Sequence, residues 1–63
     1  MYFRAITPKG MIYSSSIDIT AGRAIIEDEA DGKKFSVRPD RVEVSFNDPD
    51  IWYKLSDLKR VFL

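Results

Sequence analysis

The chain has no cysteine and no histidine. Without cysteine there is no disulfide, no thiolate zinc site and no thiol nucleophile. Without histidine the commonest general base and the commonest metal ligand are both missing. Net charge is missing too, since Lys plus Arg number 10 and Asp plus Glu number 10. No field therefore draws the chain onto nucleic acid or holds it away from other proteins. No apolar run reaches the length of a membrane span, and the opening MYFRAITPKG lacks the long apolar stretch of a signal peptide. The expectation is a cytoplasmic protein with no membrane partner and no cofactor.

What is present is a chain of 63 residues, room for one domain over 1–63. A domain of this size buries only about 60% of the surface its unfolded chain exposes. Lacking covalent or metal staples, it depends on tight packing or on burial against another chain.

The organising signal is period-two alternation broken by turn residues at short intervals, the mark of an antiparallel β meander. Met11, Tyr13, Ser15, Ile17 and Ile19 fall on one side of a strand; Ile12, Ser14, Ser16, Asp18 and Thr20 fall on the other. Asp31-Gly32 is a type I′ hairpin signal, and as a two-residue turn it pairs Ile26 with Val37, Asp28 with Phe35 and Glu29 with Lys34. Asn47-Asp48-Pro49-Asp50 turns a second hairpin that pairs Phe46 with Ile51, Val44 with Tyr53 and Val42 with Leu55. On the opposite face of that hairpin Glu43 meets Lys54, an opposite-charge pair that favours the register. Ala21-Gly22 joins strands so that Ile17 meets Ile26 and Ile19 meets Ala24. Thr7-Pro8-Lys9-Gly10 suits a type I turn, but its register puts Arg4 beside Tyr13 on the expected core face. A bulge near the three serines, or a sharp bend in a long second strand, would resolve that conflict. Pro39-Asp40 marks a further turn.

The C-terminal stretch has two readings. In one, Ile51–Leu55 is a strand, Ser56-Asp57-Leu58 a single 3₁₀ turn and Lys59–Leu63 a closing strand. In the other, Asp48 caps a helix over 49–62 that lines up Ile51, Leu55, Leu58 and Phe62 on one face. The poor helix propensity of Ile51-Trp52-Tyr53 and the cross-strand register favour the first. Read that way, residues 33–63 resemble the closing half of an SH3-like or Tudor-type small barrel. The resemblance is carried by Val42-Glu43-Val44-Ser45-Phe46, a turn, Ile51–Leu55, then Leu55-Ser56-Asp57-Leu58-Lys59. It implies an all-β fold, a small antiparallel meander of five or six strands curled into an SH3-like barrel. Where Tudor domains often carry an aromatic-rich turn this chain has Asn47-Asp48-Pro49-Asp50, so no cage residues are carried over. The alternative fold is α+β, with helix 49–62 packed across the sheet. The expected core is Ile6, Met11, Tyr13, Ile17, Ile26, Phe35, Val37, Val42, Val44, Phe46, Tyr53, Leu55 and Leu58.

No constellation carries catalysis. The acidic run Glu27-Asp28-Glu29-Ala30-Asp31-Gly32 starts like an EF-hand loop, but its twelfth place is Arg38 where a bidentate Glu is needed. Paired carboxylates across a cleft, a phosphate loop and a nucleophile elbow are all absent, so the chain is expected not to be an enzyme. Two binding readings remain. Trp52, Ile25 and Ile12 are apolar residues assigned to the outward side, and Trp is enriched at interface hot spots. They make the leading expectation a protein-interaction module: an adaptor, an inhibitor-like domain or a self-associating homodimer. The second reading is a nucleic-acid-binding barrel using Lys34, Arg38, Arg41, Lys54 and Trp52, with bases stacking on the indole.

Overall fold

The computed structural model describes residues 1–62, with side chains as far as Leu58. Seven strands come first to last as β1 (Tyr2–Thr7), β2 (Gly10–Ser14), β3 (Ile17–Thr20), β4 (Arg23–Glu27), β5 (Lys34–Val37), β6 (Glu43–Ser45) and β7 (Tyr53–Lys54). A 3₁₀ turn at Pro39–Arg41 separates β5 from β6, and helix α1 (Leu55–Phe62) follows β7. All pairing is antiparallel, in a four-stranded sheet A ordered β2-β1-β6-β7 and a three-stranded sheet B ordered β3-β4-β5. The small antiparallel β domain is therefore present, but among the described residues the two sheets do not close into a barrel.

The second strand bends where the three serines lie. Ser14 Oγ donates to the Ser16 carbonyl at 2.9 Å, and the Ser16 amide donates back to Ser14 Oγ at 3.2 Å. These local bonds replace ladder bonds, and the chain leaves sheet A as β2 and enters sheet B as β3. The bend also changes the parity of burial. Ile12 and Ser14 are buried before it, and Ile17 is the half-buried residue after it. The alternation read through 11–19 as one strand is thus two strands of opposite phase. The β1–β2 register is the expected one, Arg4 opposite Tyr13 and Ile6 opposite Met11, but its faces are reversed. Ile6, Met11 and Tyr13, expected in the core, are 54%, 40% and 44% exposed. Phe3, Ala5 and Ile12 take their place.

The β3–β4 hairpin matches the sequence reading in full, with Ile17 opposite Ile26 and Ile19 opposite Ala24. Ala21 at φ 49° and Gly22 at φ 74° form its left-handed two-residue turn. The β4–β5 hairpin is shifted by two residues, pairing Ile26 with Phe35 and Ala24 with Val37. Its loop is longer because Asp28 closes it. The Asp28 amide donates to the Lys33 carbonyl at 2.8 Å, and the Gly32 amide donates to the Asp28 carbonyl at 2.7 Å. A two-residue slip keeps every side chain on its face, so Ile26, Val37 and Phe35 remain core-facing as expected.

At the C-terminus both earlier readings hold in part. Val44 pairs with Tyr53 and Glu43 with Lys54 as the strand reading requires, and the Leu55 amide donates to the Val42 carbonyl at 2.9 Å. The 3₁₀ turn at 56–58 and the closing strand over 59–63 are replaced by α1, which starts at Leu55 rather than at 49. The extended-favouring Ile51-Trp52-Tyr53 stays out of the helix, and Leu55 and Leu58, three apart on one helical face, pack against the core. Leu63 and the Phe62 side chain lie outside the described residues. The order strand, one 3₁₀ turn, strand, read for the C-terminus, is found one step earlier at Lys34–Ser45.

The core between the sheets is Phe3, Ala5, Ile12, Ala24, Ile26, Val37, Val42 and Val44, with Ile17, Phe35, Leu55 and Leu58 packed around it. Phe46, just past β6, and Tyr53, on the edge strand β7, are expected within it but are 41% and 47% exposed, their rings meeting at a tilt of 52° with centroids 5.9 Å apart. Two strand residues are too few to carry Tyr53 under a second layer.

Candidate interaction surface

The outer faces of the two sheets differ in chemistry. On sheet B, alternation turns Asp18, Thr20, Arg23, Ile25, Glu27, Lys34 and Ser36 outward, with Ile25 alone apolar among them. On sheet A it turns out Tyr2, Arg4 and Ile6 from β1 and Met11 and Tyr13 from β2, with Glu43 and Lys54 beyond. Trp52, just before β7, folds over this same face and is half-buried.

Arg4 is the centre of the surface. Its guanidinium carbon lies 4.1 Å from the Trp52 ring centroid, a stacking worth about 0.5–2 kcal/mol depending on desolvation. Its Nε donates to Glu43 at 2.8 Å, as the β1–β6 pairing of Arg4 with Glu43 dictates. The two terminal amino groups of Arg4 have no protein acceptor among the described residues. Trp52 is fixed from the other side as well. Its Nε1 donates to the Pro49 carbonyl at 2.8 Å, and its ring meets Tyr13 edge-on, centroids 6.0 Å apart at 62°. The Tyr2 hydroxyl donates to Glu29, whose own amide donates to the Tyr13 carbonyl at 3.2 Å. That bond to Glu29 raises the Tyr2 phenol above its ordinary value. Tyr2, Arg4, Tyr13, Glu29 and Trp52, with Phe46 and Pro49, line an open groove of about 490 Å³. An apolar floor with one stacked, partly unsatisfied guanidinium suits binding of side chains rather than bond-making.

The residues expected at a docking face are not brought together. Trp52 lies in the groove, Ile25 lies on the outer face of the other sheet, and Ile12 is a core residue only 2% exposed. An unbroken alternation assigns Ile12 outward, and the serine bend reverses it. The cations of the nucleic-acid reading are also spread out. Lys34 stands on sheet B opposite Glu27, Lys54 on sheet A opposite Glu43, and Arg38 pairs with Asp40 at 3.2 Å. Arg41 lies in the 3₁₀ turn. The acidic run does not converge on a cation either. Glu27 faces Lys34, Glu29 accepts from Tyr2, and Asp28 and Asp31 both hold Lys9.

Tyr2, Arg4 and Tyr13 escape the sequence reading of the site. Their signal was the conflict at Arg4 and Tyr13: an arginine sharing a face with a tyrosine marks that face as the outer one. Among the described residues no helix is long and apolar enough to cross a membrane. No protein-family model, curated protein or solved structure matches this chain.

Proposed function

We propose that the chain is a non-catalytic protein-interaction module that binds through the outer face of sheet A. The single observation that carries this reading is the contrast between the two outer faces. One sheet turns charge and hydroxyls to water, as a solvated face does. The other gathers Tyr2, Ile6, Met11, Tyr13 and Trp52 on one side, around an arginine whose terminal amino groups have no acceptor among the described residues. A clustered apolar patch on so small a domain is the ordinary mark of a contact surface, and Trp, Tyr and Arg are the residues that dominate such surfaces. The scaffold is read as a small SH3-like half-barrel. In support stand the bent second strand shared between two sheets, the strand–3₁₀–strand passage at 34–45, and the pairing of β6 back onto β1.

Peptide display against the immobilised protein tests the reading. Selected peptides should perturb amide resonances of Tyr2, Arg4, Tyr13 and Trp52, and Trp52→Ala should weaken them about tenfold or more. Circular dichroism of that variant should retain the wild-type β spectrum. Peptides that map to the outer face of sheet B, or no enrichment, would defeat the proposal. Single-stranded oligonucleotide that binds at low salt and is released as salt rises would replace it with the nucleic-acid reading.

A further inference from the structure

We infer that the groove on sheet A receives an extended peptide through one Asp or Glu carboxylate, held by the terminal amino groups of Arg4; this rests on the contact-surface reading above and names the chemistry of the partner. The first argument is the setting of the guanidinium. Its Nε donates to Glu43 at 2.8 Å, and the Trp52 ring centroid lies 4.1 Å from its central carbon. Trp52 is itself tied to the Pro49 carbonyl through Nε1. These contacts fix the guanidinium, and its terminal amino groups, without an acceptor among the described residues, form a fork already in place. A planar carboxylate matches such a fork with two parallel hydrogen bonds. The Arg4 side chain is only 25% exposed, so little water competes for those bonds. A fork fixed beforehand also loses little freedom when the ligand arrives.

Charge is the second argument. Arg4, Glu43 and Lys54 lie side by side across β1, β6 and β7. Two cations and one carboxylate leave a single positive charge at that end of the groove. In the other direction Arg4 pairs with Tyr13, and the Glu29 amide donates to the Tyr13 carbonyl at 3.2 Å. Glu29 therefore stands two strand spacings from Arg4, about 10 Å at about 4.8 Å per step. Its carboxylate accepts only from the Tyr2 hydroxyl among the described residues. One positive charge accepts one carboxylate. A nucleic acid, with a charge at every phosphate, would bring a second against Glu29. An extended peptide repeats each side-chain direction every two residues, about 6.6 Å. Laid across the strands, it carries the residue two places from its acid past Tyr13 towards Glu29. A second acid is repelled there, and a lysine or arginine is favoured.

The floor sets the rest of the ligand. Tyr2, Tyr13, Phe46, Pro49 and Trp52 line the groove with Arg4 and enclose about 490 Å³. That volume lies within the roughly 300–1,000 Å³ of ligand clefts, room for a few side chains of one peptide segment. An apolar residue beside the acid packs on the rings and shields the ion pair from water.

Peptides selected by display on the immobilised full chain supply the test. They should share one Asp or Glu, and favour Lys or Arg over a second acid two places from it. A selected peptide, blocked at both ends, is then titrated against the fluorescence of Trp52, the single tryptophan. Replacing its acid by the matching amide should weaken binding about tenfold or more. In Arg4→Gln the same replacement should change binding little, because the fork it probes is gone. In Glu29→Gln the penalty for a second acid should shrink about threefold or more. Where Arg4→Gln loses the wild-type circular dichroism or binds no peptide, Arg4→Lys keeps the charge without the fork and should still reduce the preference for acid over amide. Peptides that map to the groove without an acid, or that bind equally well as the amide, would overturn the inference and leave the contact surface standing. A preference for acid that is undiminished in the Arg4 variants would overturn it as well, since the carboxylate is then held elsewhere. Peptides that map to the outer face of sheet B, or no enrichment, would remove the contact-surface reading along with it.

Discussion

Lys9, at the tip of the β1–β2 turn, reaches across to the β4–β5 loop, where its ammonium meets the buried Asp28 and, at 2.7 Å, Asp31. One side chain thus ties a turn of sheet A to a loop of sheet B. The bonds from Lys9, and then those from the Ala30 and Lys33 amides, hold Asp28 and Asp31 below the ordinary carboxylate value of 3.8. The two carboxylates in turn hold Lys9 above its ordinary 10.5, Asp28 contributing first. A carboxylate with a lowered pKa stabilises the fold above its unfolded value and loses that contribution as pH falls through its folded one. A raised lysine contributes below its unfolded value and loses the contribution as pH climbs through its folded one. Stability should therefore be level across neutral pH, fall below about 3.8 and fall again above about 10.5, where the raised Tyr2 phenol adds to the loss. Lys9→Met should lower stability at neutral pH, since it leaves the Asp28 carboxylate buried without its cation. The variant should also flatten the acid limb, so that the two curves converge at low pH. Urea unfolding across a pH series measures this, and parallel curves would show that the tie contributes nothing. No sequence pattern announced the contact, because it joins residues 19 apart in different hairpins. What alternation did show is that the acids lie on a hairpin arm.

At the scale of the element, each turn chemistry makes its own demand, and the Ala21-Gly22 turn meets its demand only in part. Both positions have positive φ, yet Ala21 is a residue with a Cβ held at φ 49°. The left-handed region costs an ordinary L-residue roughly 1–2 kcal/mol, and asparagine visits it more readily. Ala21→Asn should stabilise the domain by about 0.5–1 kcal/mol, read as a raised urea midpoint with unchanged slope. A lowered midpoint would mean that Ala21 makes a contact the exposed turn does not reveal. The same local chemistry explains which parts of the fold could be read from sequence. Where a two-residue turn joins two strands, as at Ala21-Gly22, the cross-strand partners Ile17–Ile26 and Ile19–Ala24 follow by counting. Counting fails where a side chain enters the turn. Asp28 bonds its own loop and shifts the next hairpin by two, and the Ser14–Ser16 bonds split one apparent strand between two sheets. Helix α1 failed for a different reason. One reading ran a helix through all of 49–62 and the other returned to a strand at 59–63, whereas cross-strand pairing governs as far as Lys54 and packing of Leu55 and Leu58 on the core governs beyond it.

For the whole molecule, the question is which side of sheet A faces sheet B, and on it depends everything said of the surface. Sequence alternation puts Ile6, Met11 and Tyr13 inside and Ile12 outside. The packed structure puts Phe3, Ala5 and Ile12 inside, and frees Arg4, Tyr13 and Trp52 to form the groove. Parity within β1 and β2 was legible; its sign had one pointer, Arg4 sharing a face with Tyr13, and alternation overrode it because the sign depends on how a distant sheet is hung from the serine bend. Two isoleucines from adjacent strands report that sign directly. Ile12→Ala removes a buried side chain and should cost about 2–5 kcal/mol. A chain of this length has a total stability of roughly 3–9 kcal/mol at the usual 0.05–0.15 kcal/mol per residue, so the variant should lose a large share of it and unfold at a much lower urea concentration. Ile6→Ala removes an exposed side chain and should change stability by less than about 0.5 kcal/mol. Both are followed by Trp52 fluorescence in urea. A large cost at Ile6 with little at Ile12 would mean that sheet A is turned over. Arg4 would then be a buried cation, and the aromatic groove would be the floor of a core rather than a face for a partner.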